Sequence, residues 1–182
     1  IKVASGTADE DYGKEQVFSG VVSGAAILEK KGVGRLNLTG DNTCTGNINI
    51  DDGVLVAGHN NALGAGTKTV TINKGKLEVA SGATTPRDVT IQGGASRNFI
   101  GGDGTVDTVV IGSDTNEVDV VSPGQGFASS FNLLNQQAPR GNGDVDASVG
   151  SFTATNLSLV NGGVYDWEMK DFDGTTPGTD WD

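Results

Sequence analysis

The chain has 182 residues, of which 29 are glycine, and 35% of its residues are hydrophobic. Its formal net charge of −11 disfavours binding to nucleic acid, because phosphate groups repel an acidic chain. No run of about 18 apolar residues is present, so we expect no membrane-spanning helix. The single cysteine cannot form an internal disulfide. Since the sequence starts at Ile1 and shows no signal peptide, we expect a piece of a longer protein.

A short unit recurs along the chain: an apolar strand, two polar residues, a glycine and another strand. Copies lie at residues 50–53, 72–75, 91–94 and 159–162, with looser ones at 28–32 and 111–114. The apolar residue before the turn falls at 28, 50, 72, 91 and 111, which gives steps of 22, 22, 19 and 20. A period near 20 made of short strands is typical of a solenoid. We therefore predict an all-β fold, a right-handed parallel β-helix with coils of roughly 20 residues.

Alternation within the strands supports half-buried sheets. In residues 76–80, Leu77 and Val79 share one face, while Lys76 and Glu78 share the other. A period of two predicts that one face packs on a core and the other faces water. The turns "DDG" and "NKG" predict tight corners at which the glycine takes a positive φ.

The period divides the chain into four segments. We expect an N-terminal edge segment at 1–17, β-helix coils at 18–121 and further coils at 151–182. The period breaks between Ile111 and Leu159, and residues 122–150 are read as an excursion from the stack or as a long loop of a wider coil. An excursion could carry function, since insertions on regular scaffolds often do.

The order of residues in 18–82 resembles the autotransporter-associated β-strand repeat. The stretch "LTGDNTCTGNINIDDGVL" at 38–55 and "NALG" at 61–64 match that pattern, with Cys44 at the position that the family gives to tyrosine. The segments at 104–124 and 162–182 are similar to downstream parts of the same class. The resemblance implies a right-handed parallel β-helix in an exported, adhesin-like passenger, often delivered by type V secretion. It also implies an extracellular or cell-surface location in a Gram-negative-type bacterium, and it brings no catalytic residues.

Cys44 and His59 are the first candidates for chemistry. A nucleophilic thiol needs a base, and His59 is the one histidine. The alternative is an apolar, partly buried thiol in a strand–turn–strand unit and a histidine on a Gly- and Asn-rich surface loop. We favour the alternative, because no orienting or oxyanion group accompanies the pair. We expect a buried or half-buried thiol without a chemical partner.

Acidic pairs suggest glycoside or polyuronate chemistry, which requires two carboxyl groups held about 5–10 Å apart. Candidates are Asp51 with Asp52, in a corner turn, and Asp166 with Glu168, on one strand. Neither pair has a basic or aromatic platform beside it in the sequence. We therefore expect no catalytic residues.

The acidic residues near the C-terminal end suggest a calcium site near Asp171, Asp173 and Asp180, with Asp182 close by in sequence. Its spacing matches neither an EF-hand loop nor a calcium-binding nonapeptide repeat. We expect solvated carboxylates here, and hence no metal or cofactor.

The aromatic residues Tyr165, Trp167 and Trp181 could form a platform on which sugars stack. Tyr165 and Trp167 alternate with charged residues, so we read these two as core or end-cap aromatics.

These features predict a structural segment of an exported surface protein, which presents an adhesive or self-assembling surface. Other copies of the chain, stacked at coil ends or edge strands, are the first expected partners. Surface glycans and receptors on host or neighbouring cells are the next, and outer-membrane attachment would come through other parts of the parent chain. The alternatives are a polysaccharide-active β-helix enzyme, a lyase or hydrolase, and a passive spacer in a giant passenger.

Overall fold

The computed structural model describes residues 15–91, 98–111, 119–123, 151–160 and 163–165. All regular elements in these ranges are strands. They are β1 (Glu15–Phe18), β2 (Leu28–Lys30), β3 (Arg35–Leu38), β4 (Ile48–Ile50), β5 (Val54–Ala57), β6 (Val70–Ile72), β7 (Gly75–Val79), β8 (Thr84–Thr85), β9 (Val89–Ile91), β10 (Asn98–Gly102), β11 (Thr105–Ile111), β12 (Asp119–Pro123), β13 (Thr153–Leu159) and β14 (Gly163–Tyr165). A helix with the length and apolar character of a membrane span does not occur in these ranges.

The strands alternate between two parallel sheets. Sheet 1 has the order β1-β3-β5-β7-β10-β12-β14, and sheet 2 has the order β2-β4-β6-β9-β11-β13, with β8 also paired to β11. Each chain segment therefore passes from one sheet to the other and then stacks on the segment before it. This is a parallel β-solenoid, as predicted. Its right-handed sense stays a prediction.

The strand register confirms the predicted period. In sheet 2, Ile48 pairs with Val70, and Val70 pairs with Val89, which gives steps of 22 and 19 in the numbering. Further along, Val109 of β11 pairs with Leu157 of β13, a step of 48. The long step falls where the sequence repeat breaks.

The predicted division into segments is not tested by this register. The N-terminal edge segment, the excursion and the C-terminal coils fall largely on residues 1–14, 124–150 and 166–182, which lie outside the described residues. The division therefore stays a prediction.

The register corrects the first copy of the repeat. The sequence spacing places Leu28 in the same column as Ile50, but the structure pairs Leu28 with Ile48 and Lys30 with Ile50. The column therefore begins with a lysine, whose exposure is 1%. Counting apolar residues misses this position because the inward-facing side chain is charged.

The core consists of aliphatic columns from both sheets. In sheet 1, Leu36, Leu55 and Leu77 pair in register, and all three are buried. In sheet 2, Ile50 and Ile72 stack in the same way. Burying one such side chain stabilises the fold by about 1.5–3 kcal/mol. Because each column continues into the next coil, the hydrophobic effect favours stacking over isolated coils.

The corner turns are as predicted at two positions. Gly53 in "DDG" and Gly75 in "NKG" have φ of +71° and +129°. A Cβ on Gly53 would also lie 2.5 Å from the carbonyl oxygen of Gly32 in the coil below. Glycine is therefore required there both by the backbone conformation and by the close stacking of coils.

The prediction of one water-facing side is wrong for β7. All five residues of this strand are buried, including Lys76 and Glu78 at 3% and 1% exposure. Three strands of sheet 2, β4, β6 and β9, behave as predicted, since their central residues are partly exposed. On sheet 1, the outward-facing Lys76 and Glu78 take part in ion pairs.

Candidate functional site

Cys44 lies inside the solenoid, in a run of strict alternation. From residue 42 to 50 every even-numbered residue is buried, and Cys44 is 3% exposed. Its Sγ lies 3.6 Å from the carbonyl oxygen of Leu63 in the next coil, the geometry of a weak S–H donor. The prediction that the thiol is buried is confirmed.

His59 lies in a different environment. It is exposed, and its Nδ1 accepts a hydrogen bond of 3.2 Å from the backbone N–H of Asn61. The prediction of a surface loop is confirmed. One ring nitrogen is therefore engaged in shaping the local turn, while the Cys44 thiol faces the interior.

Asn42, two positions before Cys44, links three coils. Its Oδ1 accepts a 2.7 Å hydrogen bond from the N–H of Val22, and its Nδ2 donates to the carbonyl of Ala62. The side chain is 1% exposed. Since a buried amide left unpaired would be costly, these two bonds explain why an asparagine is accommodated inside.

Arg87 lies inside the solenoid beside Cys44. The side chain is fully buried, at 0% exposure. Its Nη2 donates to the carbonyls of Cys44 and Ala65 at 2.7 and 3.2 Å, and its Nη1 donates to those of Gly46 and Lys68 at 2.9 and 3.2 Å. Burial lowers the pKa of Arg87, but an arginine stays charged at any physiological pH.

The sequence contains a signal for Arg87 that apolar counting overlooks. Ala83, Thr85, Arg87, Val89 and Ile91 follow one another at a period of two, and all five are buried. The parity of the strand therefore places the arginine on the inner face. What parity cannot show is the set of carbonyls that receives it, because these belong to the two preceding coils.

Lys30 is the second buried cation. Its Nζ donates to the carbonyls of Gly32 and Asp52, the latter at 2.9 Å. Burial lowers the pKa of Lys30 to about 8, although the nearby Asp52 carboxylate opposes this shift. The ammonium group thus closes the corner between two successive coils.

Asp51 and Asp52, the acidic pair at this corner, are both engaged with the neighbouring coil. Asp51 accepts a 2.7 Å hydrogen bond from Asn73 Nδ2. Asp52 accepts from the N–H of Gly53 at 2.9 Å and lies 3.4 Å from Lys74 Nζ. These contacts support a role for the pair in joining coils.

A second charged cluster lies on the outer face of sheet 1. The guanidinium of Arg35 binds both carboxylate oxygens of Glu78, and its Nε lies 2.6 Å from Glu15 Oε2. Lys76 Nζ is 4.0 Å from Glu78. Although burial opposes the charged form, hydrogen bonds and attraction to Glu78 and Glu15 raise the pKa of Arg35. For Glu15, burial acts to raise the pKa, but the Arg35 and Asn37 contacts together outweigh it and lower the pKa.

The remaining predicted positions lie outside the described residues: Asp166, Glu168, Trp167, Asp171, Asp173, Asp180, Trp181 and Asp182. Tyr165 belongs to β14, where the register pairs it with the core residue Val121. Within the described ranges, no group of three or more His, Cys, Asp or Glu residues is placed to hold a metal ion. The absence of a cofactor and the calcium alternative both stay predictions.

Comparison with known proteins identifies the repeat in these coils. The passenger-associated-transport-repeat matches residues 28–57, the stretch from β2 to the end of β5. The adhesin BmaC autotransporter of Brucella suis biovar 1 (strain 1330) is 32% identical over 162 residues, which is 80% of this chain but 4% of that protein. No solved structure matches the chain.

The matched repeat coincides with the coils that bury Lys30, Asn42 and Cys44. The resemblance noted in the sequence is thereby confirmed at the level of the repeat. The chain is a β-solenoid that carries the passenger-associated-transport-repeat at residues 28–57 and is similar over 80% of its length to part of an autotransporter adhesin.

Proposed function

We propose that the chain is a structural, adhesin-like segment of an exported bacterial surface passenger. The observation that carries this proposal is the passenger repeat at residues 28–57, which lies within the parallel stack. The likeness to a protein named an adhesin supports the same role, although this chain spans 4% of its length. The location that follows is the surface or exterior of a Gram-negative bacterium.

The outer face of sheet 2 is the surface best suited to contact. Asn49, Thr71 and Thr90 lie side by side there in register, and each is partly exposed. Hydroxyl and amide groups can donate and accept hydrogen bonds, which suits neutral glycans or polar receptor surfaces. The outer face of sheet 1, by contrast, is closed by its own ion pairs.

Adhesion is tested with beads coated with the purified chain and exposed to cultured cells and to a glycan array. We expect binding above that of uncoated beads, and a loss of binding in a triple variant with lysine in place of Asn49, Thr71 and Thr90. Circular dichroism checks that this variant keeps its fold. Absence of binding to every surface would instead favour a passive spacer, and release of sugar products would favour the lyase or hydrolase alternative.

Self-association is a second candidate, because both ends of the described stack expose apolar side chains. Val17, Val21 and Ile27, at one end, are 61%, 62% and 58% exposed. Strand β13, at the other end, carries Leu157 and Leu159 at 42% and 46%. Exposed apolar groups beside open strand edges favour pairing with another copy.

Sedimentation velocity over a range of concentrations tests this association, with and without calcium. We expect head-to-tail oligomers, and a shift to monomers when Leu157 and Leu159 are both replaced by lysine. A double variant at Thr71 and Thr90, away from the ends, serves as the matched control. A wild-type chain that stays monomeric at the highest concentration would exclude assembly through these ends.

A further inference from the structure

We propose that Arg87 fills an internal guanidinium-binding site and thereby couples coils that are not neighbours. The site is formed by four backbone carbonyls, those of Cys44, Gly46, Ala65 and Lys68. Its ligand class is the planar guanidinium group, which the chain supplies from its own Arg87.

The geometry fits a planar cation with two donor arms. Each Nη atom binds one carbonyl of the 42–50 run and one carbonyl from the loop before β6. The Nε–H of Arg87 is buried and has no hydrogen-bond partner among the described residues. Recognition therefore rests on the two terminal nitrogens, and a single ammonium group could not reproduce this fork.

The span of these bonds is unusual for a solenoid. Coils generally contact only their immediate neighbours, so their stability behaves as a sum of nearest-neighbour terms. Arg87 reaches Ala65 and Lys68 over 22 and 19 residues, one coil away, but it reaches Cys44 and Gly46 over 43 and 41 residues, two coils away. Its four bonds thus make three coils depend on one side chain.

The ion pair on the outer face has the same reach. Arg35 of β3 binds Glu78 of β7 over 43 residues, across the intervening strand β5. Coils in this part of the chain are therefore joined at two depths, outside by a salt bridge and inside by a carbonyl-bound guanidinium. As a result, the strands from β3 to β9 should fold and unfold as one unit.

Chemical rescue tests the binding site directly. In Arg87→Ala, millimolar methylguanidinium should enter the vacated site and raise the thermal unfolding midpoint, with a saturating dependence on concentration. Sodium chloride at equal ionic strength should have no such effect, and neither should methylguanidinium on the wild-type chain. If the variant is unfolded alone, the β-sheet circular dichroism signal should return with methylguanidinium. Equal responses of variant and wild type would overturn the proposal.

Hydrogen exchange in Arg87→Lys tests the coupling, since this variant keeps a positive charge. We expect amides of β4 (Ile48–Ile50), two coils away, to exchange at least about ten-fold faster, as when one or more buried hydrogen bonds are lost. A matched control is Lys68→Ala, which removes an exposed side chain but keeps the backbone carbonyl that Arg87 binds. Faster exchange confined to β9 in Arg87→Lys would mean that the coils are coupled only to their neighbours.

Discussion

The two sheets have similar interiors but different outer faces. On sheet 1, Val54, Val56 and Glu78 face away from the core cluster and yet are at most 2% exposed. On sheet 2, the corresponding Thr71 and Thr90 are partly exposed. Part of this cover is the guanidinium on β3, which reaches Glu78 on β7 across β5. Sheet 1 is therefore stabilised on both faces, whereas sheet 2 keeps one face available for contact.

Glu78→Ala should cause the largest loss in the free energy of unfolding, because it removes a contact found only on the outer face of sheet 1. The substitution removes the carboxylate that Arg35 and Lys76 share, and removing one partner of a buried pair costs about 3–5 kcal/mol. Thr71→Ala on sheet 2 should change the free energy of unfolding by no more than about 0.5 kcal/mol. Urea denaturation of both variants measures the contrast. Equal losses at the two positions would show that the faces do not differ energetically.

Lys30, which lies on sheet 2, should make the free energy of unfolding depend on pH in the alkaline range. Its folded pKa of about 8 lies below its ordinary value of 10.5, so the unfolded chain binds more protons between these pH values. Stability from this group therefore rises as pH increases from about 8 to 10.5, by at most about 3 kcal/mol, and is flat below that window.

Urea denaturation between pH 7 and 10.5 tests this sign. Lys30→Met, of similar length but without the charge, should lose the alkaline rise. Lys68→Met, at an exposed lysine, should keep it. A wild-type stability that falls throughout the same window would contradict the prediction.

The surface hydrogen bonds that join side chains of adjacent coils should contribute less to stability than Lys30 or the Arg35–Glu78 ion pair. Asn73 donates to Asp51 at 2.7 Å and Asn61 donates to Asp41 at 2.7 Å, each joining adjacent coils at the surface. Replacing Asn73 or Asn61 by alanine should cost about 0.5–1.5 kcal/mol, because one hydrogen bond is lost and water can replace it. Thermal unfolding midpoints measure both changes, and Asn47→Ala provides an exposed control. A larger loss in these variants than in Glu78→Ala would reverse the ranking of the two regions.

The sequence predicted the features that depend on which face of a strand a residue occupies and on the length of the repeat. The position of Cys44 in the repeat predicted a buried thiol, and the repeat predicted stacked parallel strands with positive φ at Gly53. It was insufficient where an inward or outward position holds a charge whose partners come from other coils. Lys30 and Arg87 bind backbone carbonyls up to 43 residues away, and no residue pattern near them identifies those acceptors.

The outer cluster escaped prediction for the same reason. Lys76 and Glu78 alternate with Leu77 and so fit the pattern of a water-facing pair. Both are nonetheless buried, and Glu78 binds Arg35, which lies 43 residues before it. Local alternation assigns a side chain to a face, but the exposure of that face is set by side chains from distant coils.

Replacing Glu15 should change the free energy of unfolding least, and this change should depend on pH in the acid range. Its contacts with Arg35 and Asn37 lower its pKa below 4.5, so its contribution is present above that value and is lost as pH falls through the folded pKa. The side chain is 36% exposed, so solvent screens the pair, and we expect well under about 1 kcal/mol from it. Glu15→Gln should therefore lower stability slightly at pH 7 and match the wild type once the pH lies below the folded pKa of Glu15, as measured by urea denaturation. Because Arg35 would keep its contact with Glu78, the outer face of sheet 1 should stay closed. A loss of stability as large as that of Glu78→Ala would show instead that Glu15 anchors the cluster.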